Sequence, residues 1–236
     1  MLKKIMWAVT FLALAGTAVV VQFMPETVPM HYDMSGNIDR WGSRYENLIF
    51  PLIMMLLSLL MTLLIRYYEK KAERSANEKE RADAGTNVRV LGVTGAATAG
   101  MFAVLQGFIL YGAYAAAVSG GERQAVDLGK VSCILLGILF IILGNFMTKT
   151  RINSTIGFRV SWSMYNDNTW RKSSRFAGCA VVATGVVTIL LAVVMKNSLA
   201  AVMSSLGALF LACIAALIYA HGVYVKEIEA GGKKRL

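Results

Sequence analysis

The chain has 236 residues, of which 56% are hydrophobic and only 16% charged, against about 25% charged in an average soluble domain. A water-soluble globule of this composition would have too few charged side chains to cover its surface. The net charge of +10 and a pI near 9.7 would ordinarily suggest nucleic-acid binding, and the placement of the charges excludes it.

From the N-terminus the chain divides into six apolar blocks, at 5–24, 48–65, 90–118, 131–147, 176–195 and 199–219, none of which contains Asp, Glu, Lys or Arg. They run from 17 to 29 residues, and a helix needs about 20 residues at about 1.5 Å each to cross a hydrocarbon core of about 30 Å. All six are therefore expected to span a membrane. The 29-residue third block exceeds that need and is expected to tilt or to protrude as a helix. The predicted fold class is an all-α integral membrane protein with six transmembrane helices. Lys3 and Lys4 before an apolar run containing Ala13-Leu14-Ala15 resemble a signal peptide. The run continues uncharged to Met24, beyond the usual h-region, so an uncleaved first span is the preferred reading.

The segments between the blocks set the orientation. Nineteen of the 24 basic residues and eight of the 14 acids fall on the side that holds both termini, which then carries +11 and leaves −1 on the other. Short basic loops resist translocation, so both termini are predicted to be cytoplasmic. The charge is thus a topology signal with no nucleic-acid partner behind it.

The expected organisation is a two-helix N-terminal unit over 1–66 with an external loop at 25–46, and a charged cytoplasmic linker at 67–89. A four-helix unit follows over 90–225 with a cytoplasmic loop at 149–175, and then a basic tail at 226–236. The linker, with seven basic and five acidic residues over 66–89 and no apolar stripe, is expected to extend the second helix and fray near Gly85. Small residues recur at helical spacing in the third block (Gly92, Ala96, Gly100) and the sixth (Ala208, Ala212, Ala216, Ala220). Such ladders mark helix contacts in lipid, here more within the bundle than in a homo-oligomer. The three cysteines, Cys133, Cys179 and Cys213, lie inside spans and read as packing residues.

Intramembrane ionisable groups, the usual mark of a coupled transporter, are absent from the blocks; Gln22, Gln106 and Asn145 read as interhelical hydrogen-bonding groups. His221 is placed at the cytoplasmic end of the sixth span, near a helix C-terminus. The external loop holds Pro25, Pro29, His31, Asp33, a Ser35-Gly36-Asn37 turn, Asp39, Arg40 and Trp41. Its prolines and turn imply an ordered excursion, with Trp41 and Tyr45 in the interfacial aromatic belt. His31 with Asp33 and Asp39 lacks the spacing and the fourth ligand of a metal site. No nucleophile accompanies His31, so no metal, cofactor or enzymatic activity is expected. The cytoplasmic loop sets six basic residues against Asp167, interleaved with Phe158, Trp162, Tyr165 and Trp170, a composition suited to anionic lipid headgroups. Its run 166–169 supplies helix N-cap residues, so the fifth helix is expected to begin near Trp170.

At Asn145, Ile156-Gly157-Phe158-Arg159, Trp162, Trp170 and Arg175-Phe176 the chain resembles the signature of the SdpI family, bacterial multi-pass membrane proteins named for immunity to a sporulation-delaying peptide toxin. Pro25, Pro29, His31, Ser35-Gly36, Asp39-Arg40 and Trp41-Gly42 resemble that family's N-terminal region of undefined function. Ser161 and Ser173-Ser174 stand where the family usually has Pro and often has Thr-His. The resemblance implies a protein of the bacterial cell membrane that protects its producer from a secreted antimicrobial peptide; the family's best-known member also signals the toxin by drawing a cytoplasmic transcriptional repressor to the membrane. Binding residues implied by it are Asn145, Gly157, Arg159, Trp162, Trp170 and Arg175 inside, with Pro29, His31, Gly36, Asp39 and Trp41 outside. The alternative reading is an exporter of small molecules or peptides.

Overall fold

The structure, a computed structural model, describes residues 1–150, 152 and 157–233. Arg151 of the basic loop, Ile156 of the motif and residues 234–236 of the tail lie outside the described residues. Six helices follow in order: α1 (Leu2–Val20), α2 (Ile49–Arg74), α3 (Glu78–Ser119), α4 (Leu128–Met147), α5 (Asp167–Val194) and α6 (Ser198–Lys233). Each carries a stretch long and apolar enough to cross a membrane, and the chain is a multi-pass membrane protein.

At about 1.5 Å per residue, the 42 residues of α3 run to about twice the thickness of a hydrocarbon core. Its polar first turns, from Glu78 to Arg89, therefore extend the helix beyond the apolar block. Asn77 starts the helix by accepting the Lys79 N–H, with Glu78 and Glu80 favourably placed in the first turn. Gly120, in the left-handed region at φ +62°, ends it.

The segment expected to fray near Gly85 is instead helical. α2 continues to Arg74, three residues turn the chain, and α3 passes through Gly85 without a break. Ile65 and Tyr68 of α2 pack with Ala84 and Leu91 of α3 in a buried cluster that carries the antiparallel pair beyond the apolar blocks. An apolar residue at only a few positions was enough, because both helices contribute to the same seam.

Close approach governs the bundle. α1 bonds to α2 through Trp7 Nε1 to Thr62 Oγ1 (2.9 Å) and through the Thr10 and Ser58 hydroxyls (2.8 Å). Over the first half of the α3 apolar block the buried small residues are Gly92, Gly95 and Ala99, with Leu2 above Gly92 and Met6 above Gly95. The ladder thus runs through Gly95 and Ala99 instead of Ala96 and Gly100, since the helix is rotated to meet α1 and α2 together. On α6, Ala201, Ser205, Ala216 and Ala220 are buried, and Ala208 and Ala212 are half-buried along the same face. The tightest contact joins α4 to α5, where a Cβ on Gly137 would lie 2.7 Å from the Gly185 carbonyl oxygen and one on Gly144 2.6 Å from that of Gly178. Of the cysteines only Cys133 is buried; Cys179 and Cys213 are exposed on the bundle's surface.

The two ends of the bundle differ. At one, Lys3 pairs with Glu69 and Lys79 with Asp167, both at 2.8 Å, while Asn166 and Asn168 donate to Glu227 of α6. The other end carries a feature the apolar blocks did not announce: an antiparallel hairpin of β1 (Thr27–Tyr32) and β2 (Ile38–Ser43), with a bulge between Pro29 and Tyr32. β-branched and aromatic residues suit these strands. Val28 anchors them in a buried cluster with Val21, Met24, Leu110 and Ala113.

Candidate functional site

The hairpin tip is built by Asp33, whose carboxylate accepts the N–H groups of Ser35 and Asn37 and the Asn37 side-chain amide, all at 2.8 Å. Those bonds, led by the Asn37 amide, hold its carboxyl below the usual range. Gly36 sits at φ +82°, and a Cβ there would lie 2.7 Å from the Gln124 side chain. The tip is fastened to the α3–α4 connection. Ile38 N–H donates to Glu122 O and Gln124 N–H to Gly36 O, each at 2.8 Å, and Arg123 Nε donates to Asn37 Oδ1 at 3.2 Å.

This fastening encloses a cleft of about 630 Å³, within the range of about 300–1,000 Å³ usual for ligand pockets. One wall runs from Pro29 to Gly36, Ile109 and Ala113 of α3 lie in the lining, and the start of α4 and the residues 196–199 before and into α6 complete it. The lining mixes apolar groups such as Met30, Leu199 and Val202 with His31, Asp127 and Lys196. Gln106 on α3 donates from Nε2 to Asn47 O (3.0 Å) and Thr17 Oγ1 (3.3 Å), tying α1 and the turn before α2 to α3. This is the interhelical role expected for Gln106. Gln22, by contrast, is exposed: its side chain donates to Ala18 O of α1 at 3.2 Å and accepts a long bond from the Tyr45 hydroxyl at 3.4 Å.

Of the external residues singled out in the sequence, Pro29, His31 and Gly36 line the cleft. Asp39 faces His31 across the strands, with Oδ1 2.7 Å from Nδ1. Asp33 also lines the cleft while its carboxylate bonds within the tip, and Trp41 is exposed on β2 and outside the lining. Gln124, Asp127, Lys196 and Asn197 were not singled out. They sit in short connections with no local motif, and only their convergence on the hairpin makes them part of a site.

At the opposite end, Asn166 caps α5 by accepting the N–H groups of Asn168 and Thr169, so the helix begins at Asp167, three residues before the expected start. Trp170 is 2% exposed, and its Nε1 donates to Thr150 O at 2.9 Å. Gly157, at φ +109°, lies flat against the indole, leaving only 2.7 Å between an added Cβ and a ring carbon. Trp162 meets His221 edge-on at 4.7 Å, Tyr165 meets Tyr224 at 5.2 Å and Phe176 stacks on Tyr219 at 4.2 Å. His221 is thus not at a helix C-terminus: α6 continues to Lys233, and an aromatic partner replaces the expected dipole interaction. Gly157 and Trp170 come together, whereas Asn145, Arg159 and Arg175 are exposed.

Six membrane-spanning helices, an end hairpin and an aromatic segment folded back on the last helix define a small polytopic membrane protein with loop chemistry at both ends. Residues 149–220, which take in that segment, α5 and most of α6, match the SdpI/YfhL protein family. Residues 8–55, from within α1 through the hairpin into α2, match a domain of unknown function, DUF1648. The chain is thus a multi-pass membrane protein that carries an SdpI/YfhL family region in its C-terminal half and a DUF1648 region at its N-terminal end. No curated protein and no solved structure matches it.

Proposed function

We propose that this chain is a non-enzymatic immunity protein of the bacterial cell membrane that protects its producer from a secreted antimicrobial peptide. An amphipathic peptide arriving from outside would seat its apolar side in the end cleft and its polar groups against His31, Asp127 and Lys196. The single observation that carries this reading is the cleft itself. It is walled jointly by the DUF1648 hairpin and by α4 and α6 of the remaining chain, so that a guest there would touch both parts of the protein. The basic end, with both termini, faces the cytoplasm in this reading, and its exposed Arg159 and Arg175 are offered to a cytoplasmic repressor.

The SdpI/YfhL family region supports the setting, and the uncharged apolar blocks favour sequestration over proton-coupled export. The test is expression in a toxin-sensitive bacterium challenged with the sporulation-delaying peptide and related peptides. Protection is expected from the native chain and is lost in Val202→Trp, which fills the cleft, at equal membrane levels. Absence of protection against every peptide would overturn the immunity reading, and protection that collapses with the proton gradient would favour an exporter.

A further inference from the structure

A second cleft, of about 650 Å³, lies between the end of α4 and the first turn of α5. Its lining includes Thr148, Lys149, Thr150, Asp167, Trp170 and Arg171. The buried indole of Trp170, held by Thr150 O, gives it a fixed wall. Two cations reach into its surroundings without a carboxylate partner among the described residues. Lys149 Nζ stands 4.8 Å above the Phe146 ring, and Arg171 makes only a 3.5 Å contact with Asn168 Oδ1. The one acid of the lining, Asp167, is engaged by Lys79 at 2.8 Å, so its charge is already balanced. The Thr148 and Thr150 hydroxyls donate to backbone carbonyls, which leaves the cations as the donors a guest would meet.

Depth identifies the guest. The apolar blocks end at 147 and resume at 176, so Lys149 lies two residues beyond one and Arg171 five residues, about 7 Å of helix, before the other. That is the level of lipid headgroups, and exposed Arg175 continues the Arg171 face one helical turn nearer the hydrocarbon. We infer that this cleft is a phosphate-binding site occupied by the headgroup of an anionic phospholipid. A guanidinium fork beside an ammonium matches phosphate oxygens in geometry and charge. Inorganic phosphate shares that chemistry, but the cleft stands where phosphodiesters are concentrated by the bilayer itself. This inference stands apart from the toxin reading and uses neither the hairpin nor its cleft.

The test compares the full chain in nanodiscs of phosphatidylcholine alone and with added phosphatidylglycerol, measuring retained lipid by native mass spectrometry and thermal stability. Phosphatidylglycerol is expected to be retained preferentially and to raise the unfolding temperature. Lys149→Gln and Arg171→Gln should each weaken retention about fivefold, while the charge-preserving pair Lys149→Arg/Arg171→Lys retains the lipid and reports on folding. Equal retention by the native chain and the double glutamine variant would overturn the site. Stabilisation by millimolar inorganic phosphate in phosphatidylcholine, with none from phosphatidylglycerol, would overturn the lipid source.

Discussion

Gly157 shows how a single position can be demanded twice. Its φ of +109° lies where side chains are strained, and the Trp170 ring occupies the space a Cβ would need. Gly157→Ala should therefore lower stability by roughly 1 to 3 kcal/mol, read as a fall in unfolding temperature of the purified protein in detergent. A change no larger than experimental scatter would mean that the loop repositions freely and that the indole contact is dispensable. Such residues were visible in the sequence as motif letters, but their roles were not. Gly157 and Trp170 hold each other in place, Ser163 ties the segment to itself through Phe158 O and Val160 O, and Arg159 is left exposed.

At the scale of elements, the α4–α5 pair depends on glycines seven residues apart on each helix, Gly137 and Gly144 against Gly185 and Gly178. Backbone-to-backbone approach gives dispersion contacts and aligns small surfaces in lipid, where apolar burial supplies no drive between helices. Gly144→Leu is expected to disrupt the pair, costing about 1 to 3 kcal/mol or more from overpacking. Gly207→Ala, with nothing within 4 Å of its Cβ position, should stay within about 0.5 kcal/mol. Thermal unfolding of the two variants side by side decides the matter, and equal stabilities would remove the glycine contact as the organising feature. The seven-residue spacing was present in the sequence but marks a contact only when two helices are known to be neighbours. The ladders read from sequence were partly right for the same reason: α6 buries its alanine face, and α3 turns a neighbouring face inward.

For the whole molecule, ion pairs and hydrogen bonds join Lys3, Lys79, Asn166 and Asn168 at one end to partners from α2, the start of α5 and α6. The hairpin and the 120–127 connection share the other. With the native cysteines replaced by serine, Ser75→Cys and Ser35→Cys should react with a membrane-impermeant maleimide from opposite sides. In intact cells Ser35→Cys is expected to label and Ser75→Cys to label only after permeabilisation. The reverse pattern would invert the orientation drawn from the basic residues.

By itself the sequence determined the class of the protein, the number of spans and the division of charge between two faces, since these follow from transfer free energies summed along the chain and need no knowledge of neighbours. The loop at 25–46 was legible as ordered, from its prolines and its Ser35-Gly36-Asn37 turn, but not as a hairpin, because strands this short take their stability from Val28 docking on α3. Tertiary structure alone decided that the segment around Gly85 is helical, that the hairpin tip is fastened to residues 122–124, and that Lys196 and Asp127 line the same cleft as His31. Each of these depends on groups far apart in sequence meeting in space, a property of packing that no local pattern encodes.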